Sequence, residues 1–128
     1  MIEAIGQPRA LANGLVIPLT PAIRAGDFIF VSGQLGIDDN GNVVGDDIGA
    51  QTLQAIARIR AVLQLAGCDL AAVVKVNVWI TDQADFAAFN AAYRDCFPNR
   101  PPARSTVVSG LLIAGAKVEI DAIAYVGR

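Results

Sequence analysis

This chain of 128 residues contains no histidine. That absence removes the general base of serine and cysteine triads and the imidazole ligands on which most zinc sites lean. The two cysteines do not fill the gap. Cys68 and Cys96 fit no C-x-x-C spacing and fall where helices are expected to end, so they read as small apolar fillers in a reducing compartment. Charge is scarce as well: charged residues make up 17% of the chain, against a usual ~25%. With 54% hydrophobic residues, there is more apolar surface than a small monomer hides, and oligomerisation is expected. Ten basic residues against twelve acidic ones, without a basic cluster, supply no footprint for a phosphate backbone, so nucleic acid is not an expected partner. No apolar run approaches the roughly 18 to 20 residues of a membrane span. Met1 to Gly14 lacks the basic-then-apolar order of a secretory signal, and a soluble cytoplasmic protein is expected. The segment Gly110 to Gly115 lacks the Lys-Ser/Thr of a phosphate loop and precedes a strand. Neither cofactor nor metal is indicated.

What is present reads as one domain, 1–128, with no repeat, charge block or linker. Phe28 to Val31 is a β-branched and aromatic run, with a second extended piece expected before it at Leu15 to Leu19. Asp39-Asn40-Gly41-Asn42 signals a hairpin or tight return within Leu35 to Val44. From about Asp47 to Ala66 the period changes: Leu53, Ile56, Ile59 or Arg60, and Leu63 recur at threes and fours, the mark of an amphipathic helix that Gly67 stops and Asp46 or Asp47 caps. Val73 to Ile80 alternates as a strand, with Val74, Val76, Val78 and Ile80 as its apolar face. A second helix opens at Asp82 and carries the stripe Phe86, Phe89, Tyr93 and Phe97, until Pro98, Pro101 and Pro102 end it. Arg104 to Val108 and Lys117 to Tyr125 are the last strands.

This order predicts an α+β fold, a mixed sheet with two helices on one face. The other face would carry Lys75, Asn77, Trp79, Glu119, Asp121 and Tyr125. That set is too aromatic to be plainly solvated and too charged for a monomer core, which suits a subunit interface holding small-ligand clefts.

With histidine absent, Arg104 and Glu119 are the best constellation for chemistry: a planar fork for a carboxylate, and an acceptor able to orient or deprotonate water. Spacing alone favours a plainer alternative, a structural bridge across adjacent strands. Ser105 and Thr106 are hydroxyls without a base, Asn90 reads as a buried hydrogen-bonding residue that fixes a loop, and Trp79 and Tyr93 read as core anchors.

Several blocks taken together resemble the RidA/YjgF family of enamine/imine deaminases, in order from about residue 16 to 125. They are Arg24-Ala25-Gly26-Asp27 leading into Phe28-Ile29-Phe30-Val31-Ser32-Gly33-Gln34, then Val74 to Val78, Phe86 to Tyr93, Pro102-Ala103-Arg104-Ser105, and Val118-Glu119-Ile120-Asp121-Ala122-Ile123-Ala124. The resemblance implies a chorismate-mutase-like fold, a homotrimer with a central barrel, and clefts between subunits. It implies that Arg104 grips the carboxylate of a 2-imino acid and that Glu119 places the attacking water. Gly33 would contact the ligand through its backbone, and Asn90 would line the cleft. Two positions depart from the family pattern: Leu19 follows Pro18 where active members often carry tyrosine, and Thr106 stands where they often carry cysteine. Both border the implied cleft, so a larger or more apolar imino acid, or an aminomuconate-like compound, is an alternative substrate. A trimer that binds small carboxylates as a regulatory module, without catalysis, is the alternative of a different class.

Overall fold

The computed structural model describes residues 1–127; Arg128, the last residue of the expected domain, lies outside the described residues. Six strands, β1 (Ile2–Ile5), β2 (Ala22–Ala25), β3 (Phe28–Leu35), β4 (Val73–Ile80), β5 (Ala103–Val108) and β6 (Val118–Tyr125), and two helices, α1 (Ile48–Leu65) and α2 (Phe86–Cys96), build the fold. The strands form one mixed sheet in the order β1-β2-β3-β6-β4-β5. All neighbours are antiparallel except β4 and β5, which run parallel with α2 as their crossover. The expected α+β architecture is the observed one.

Helix α1 begins where Asp47 accepts a hydrogen bond from the Gly49 amide at 2.7 Å. It ends in a Schellman motif: the Gly67 and Cys68 amides donate back to the Gln64 and Leu63 carbonyls, with Gly67 at φ +82°, a conformation glycine adopts without strain. Its buried stripe is Ile48, Gln51, Thr52, Ala55, Ile56, Ile59 and Leu63. Leu53, expected in that stripe, is 48% exposed, because it falls about a third of a turn from the stripe's centre. In α2, Phe89, Tyr93 and Phe97 are buried as expected, while Phe86 in the first turn is 43% exposed.

Strand β4 spans the expected residues, but its phase breaks. A register shift against β6 between Val73 and Lys75 turns Val74 outward, so the buried set is Val73, Val76, Val78 and Ile80. Leu15 to Leu19 is not a strand; its ordered feature is a single bridge between Ala10 and Val16. Pro18 and Pro21 remove two backbone donors there, and the pairing partner of β3 is β2 instead, with β1 beyond it, neither of them expected. The tight return is present: Asp38 accepts the amides of Asn40 and Asn42 on one oxygen, and Ile37 bridges Val43.

Both helices lie on one face of the sheet, which buries Ile29 and Val31 of β3 and Val118, Ile120, Ala122 and Ala124 of β6. The helix-free face keeps Phe28, Phe30 and Tyr125 between 37% and 46% exposed, with the Phe28 and Tyr125 rings paired at 5.2 Å. Fully buried Gln51 pins the helix layer to the loops at the sheet's end. Its amide nitrogen donates to the carbonyls of Gly45 and Gly115, and its oxygen accepts from the Lys117 amide at 2.8 Å. Replacing Gln51 with leucine strands those backbone groups, and we expect a loss of about 2 to 3 kcal/mol in urea denaturation; a loss below about 0.5 kcal/mol would contradict the role given to Gln51.

Candidate active site

Sheet pairing decides where the candidate residues go. In the parallel β4–β5 pair, Arg104 stands beside Val76 and Thr106 beside Val78. Directly registered residues share a face, so Arg104 and Thr106 point to the helix side with those buried valines. Glu119 alternates with buried Val118 and Ile120 on β6, so it points to the helix-free side. Strand β4 separates β5 from β6. The cross-strand bridge that spacing favoured is therefore absent: Arg104 forms no ion pair among the described residues.

The half-site on the helix side is built from β5 and α2. The guanidinium of Arg104 lies over three rings of that helix, at 5.8 Å from Phe86, 5.2 Å from Phe89 and 4.8 Å from Tyr93. Aromatic faces attract the cation without neutralising it, leaving N–H donors for an anion. Asn90, Tyr93, Arg94 and Phe97 line a recess of about 180 Å³ with Arg104. Two buried hydroxyls have no hydrogen-bond partner: Tyr93 Oη, on a residue lining the recess, and Thr106 Oγ1, two residues along β5 from Arg104 on the same face. Burial pushes the Tyr93 phenol up to about 12, and the charge of Arg104 opposes that rise. The Arg104–Tyr93 approach does not meet hydrogen-bond geometry, so the phenol remains a neutral donor with its proton uncommitted. Tyr93 is the core anchor that its place in an aromatic stripe suggested, 5% exposed, and it also faces the recess, where its polar tip is left without a partner.

The half-site on the opposite face centres on Glu119 and Gly33. Between Val31 and Gln34 the β3–β6 register slips, and Ser32 and Gly33 form a bulge. The Glu119 carboxylate rests against this bulge so closely that any Cβ at Gly33 would collide with its oxygen. Burial, and secondarily the negative charge of Asp121, hold the Glu119 carboxyl above the usual glutamate range. Asp121 is itself engaged, accepting from the Asn77 amide at 3.3 Å. Leu19 is 42% exposed. It precedes Thr20 and Pro21, whose carbonyls accept from the Ser32 hydroxyl and amide, so it stands next to the fastening of the bulge. Of the six expected residues, Arg104, Thr106 and Asn90 thus fall on one face and Glu119 and Gly33 on the other, while Leu19 lies in the segment fastened to the bulge.

Among the described residues no cluster of three or more His, Cys, Asp or Glu could hold a metal. No helix is long and apolar enough to cross a membrane. The profile of the family described as Endoribonuclease L-PSP matches residues 12–126. The chain belongs to this family, also known as RidA/YjgF. A RutC family protein of Pyrococcus horikoshii is 42% identical over 109 residues, covering 84% of this chain and 86% of the relative. The Arabidopsis thaliana protein named Reactive Intermediate Deaminase A, chloroplastic, is 38% identical over 108 residues, 84% of this chain and 58% of its own. Among solved structures, a Rid family protein of unknown function from Yersinia pestis superposes with a TM-score of 0.87 at 36% identity, covering 98% of this chain and 100% of that one.

The elevated carboxyl of Glu119 carries a sign for stability. Between the ordinary glutamate value of 4.5 and its own higher one, Glu119 in the folded chain holds more proton than it does unfolded. Stability from this group is therefore fully present below that window and falls as pH rises through it. Glu119→Gln removes this dependence, so the variant gains on wild type as pH rises from about 4 to neutrality, measured as the difference in denaturation midpoint; a parallel pair of curves would show that the carboxyl is not held high.

Proposed function

We propose that this chain hydrolyses reactive 2-imino acids, such as 2-iminopropanoate or 2-iminobutanoate, to 2-oxo acids and ammonia. The observation that carries this is the Arg104 half-site: a guanidinium seated on three rings without a carboxylate partner, flanked by two buried hydroxyls with uncommitted protons. Such a site suits a small carboxylate, gripped by the fork and completed by Thr106 and Tyr93. The name of the Arabidopsis relative supports the reaction class.

Because Arg104 and Glu119 occupy opposite faces of one sheet, the complete cleft takes Arg104, Asn90 and Thr106 from one copy and Glu119, Gly33 and Leu19 from the next. The exposed aromatic residues of the helix-free face favour such an assembly, and three copies closing around an axis would repeat the same cleft three times. In the cleft, Arg104 holds the carboxylate and leaves the protonated imine carbon facing Glu119. Glu119 takes a proton as water attacks C2 and returns it to nitrogen; as the carbon–nitrogen bond breaks it accepts the remaining hydroxyl proton, which the departing ammonia then takes up as ammonium. One iminium ion and one water become one 2-oxo acid and one ammonium ion. The iminium carbon is already electrophilic, so orientation and a base of elevated pKa provide the catalysis. No covalent intermediate forms. Leu19 in place of a hydroxyl-bearing residue makes that wall apolar and favours aliphatic side chains. The two free cysteines fit a cytoplasmic setting.

The test generates imines with an amino-acid oxidase and catalase in the presence of semicarbazide, which traps imine ahead of oxo acid. Wild type suppresses the early semicarbazone signal. Arg104→Ala loses about 100-fold or more in kcat/KM, since a bidentate charged contact is removed. Undiminished activity in Arg104→Ala overturns the reading. Glu119→Gln keeps its affinity for 2-oxobutanoate while losing rate; full rate in that variant would mean that Glu119 does not position the water. Arg104→Ala and Glu119→Gln chains, unfolded and refolded together, regain part of the activity that neither has alone, because some clefts then combine an intact Arg104 with an intact Glu119. No recovery would overturn the shared cleft.

A further inference from the structure

Gln34 is a buried polar residue on the helix-facing side of β3, only 8% exposed. Such a group requires partners. Its amide nitrogen donates to the Ser32 carbonyl at 3.3 Å, and its oxygen accepts from Arg58 Nε of α1 at 3.1 Å. A single amide orientation satisfies both contacts, since Arg58 can only donate and the carbonyl can only accept. Ser32 continues the chain of contacts: its hydroxyl donates to the Thr20 carbonyl at 2.6 Å, and its amide donates to the Pro21 carbonyl at 2.8 Å. Arg58, Gln34, Ser32 and Thr20 thus form one hydrogen-bonded line from α1 through the β3 bulge to the segment that follows Leu19.

The line passes through the point where regular pairing fails. The register slip between Val31 and Gln34 takes Ser32 and Gly33 out of the β3–β6 ladder, so the ladder does not fix the shape of that stretch. The Gln34 amide and the Thr20 and Pro21 carbonyls fix it instead. Glu119 leans on Gly33, so the shape of the bulge is also the rest position of the carboxylate. Arg58 is half-buried and forms no ion pair among the described residues. Burial and the nearby Arg9 disfavour its charge, which Asp39 and Asp38 partly offset. A surface arginine serving only solubility would not be placed at that cost.

We propose that Arg58 is a positioning residue for the hydrolysis: acting through Gln34, it sets the Ser32–Gly33 bulge against which the water-placing carboxylate of Glu119 rests. This rests on the function proposed above. Arg58 approaches the cleft only from behind the sheet and touches no substrate.

The variants are Arg58→Met, Arg58→Lys and, as a control on the same helix, Arg60→Met, which breaks an exposed pair with Asp69 beyond the helix end. Arg58→Met leaves the carboxylate grip intact, so kcat falls about 10-fold while KM stays within about twofold. Arg58→Lys recovers most of that rate, because an ammonium can still donate to the Gln34 oxygen. Arg60→Met keeps full kcat. Amide hydrogen exchange at Ser32, Gly33 and Gln34 reads the same link without chemistry: it speeds up in Arg58→Met and returns toward wild type in Arg58→Lys. An unchanged kcat in Arg58→Met overturns the proposal. So does a rise in KM that accounts for the whole loss, or a loss in rate that tracks a fall in melting temperature and is not rescued by lysine. If wild type itself hydrolyses no imine, the proposed function fails. Unchanged exchange at 32–34 in Arg58→Met separately shows that the mechanical link is wrong.

Discussion

A β-strand points successive side chains to opposite faces of its sheet, and in this chain that alternation decides where chemistry can occur. Arg104 follows Val76 and Val78 toward the helices, while Glu119 stands opposite to Val118 and Ile120. Two residues of opposite charge type are kept apart by backbone geometry and by the intervening strand β4. Each retains the property that makes it useful: Arg104 an uncommitted positive fork, Glu119 a carboxyl of raised proton affinity. Had they paired within one chain, the arginine would have been satisfied and the glutamate held ionised.

The surroundings of the two groups oppose one another in sense. Around Arg104, aromatic faces stabilise a cation while leaving its donors free, and a helix of modest length supplies all three rings because Phe86, Phe89 and Tyr93 recur at three and four residues. Around Glu119, burial and a neighbouring aspartate disfavour the anion. The proposed reaction uses both environments, one to bind a carboxylate and one to manage a proton, and a protein without histidine obtains the second by shifting a carboxyl upward.

The frame that holds these environments departs from regular structure at two places. The bulge at Ser32 and Gly33 makes room for the Glu119 carboxylate, and the slip at Val73 to Lys75 resets the phase of β4, bringing Val76 and Val78 to the core and thereby Arg104 and Thr106 to α2. Gln51 ties α1 to the loops that precede α1 and β6. Polar side chains buried in the frame, Gln34 and Gln51, bond mainly to backbone, which is how a small sheet with irregular ladders keeps its amides and carbonyls satisfied.

Hydrophobic period and turn chemistry, both local properties, made α1, α2, β4, β5 and β6 legible in the amino-acid sequence, along with the caps at Asp47 and Gly67. The motif blocks around Arg104 and Glu119 marked the residues worth watching. Local pattern failed where pairing overrides it: Leu15 to Leu19 looks extended but has no ladder, β1 and β2 are short and weakly patterned, and Val74 continues an alternation that a bulge interrupts. The types of α1, α2, β4, β5 and β6 were determined by the sequence itself, because they depend on side chains a few positions apart, and the motif blocks named the candidate site residues. Which face each residue occupies, that Arg104 meets Tyr93 and not Glu119, and that the bulge carries the carboxylate were decided only by tertiary structure, because they depend on register between strands brought together from distant parts of the chain.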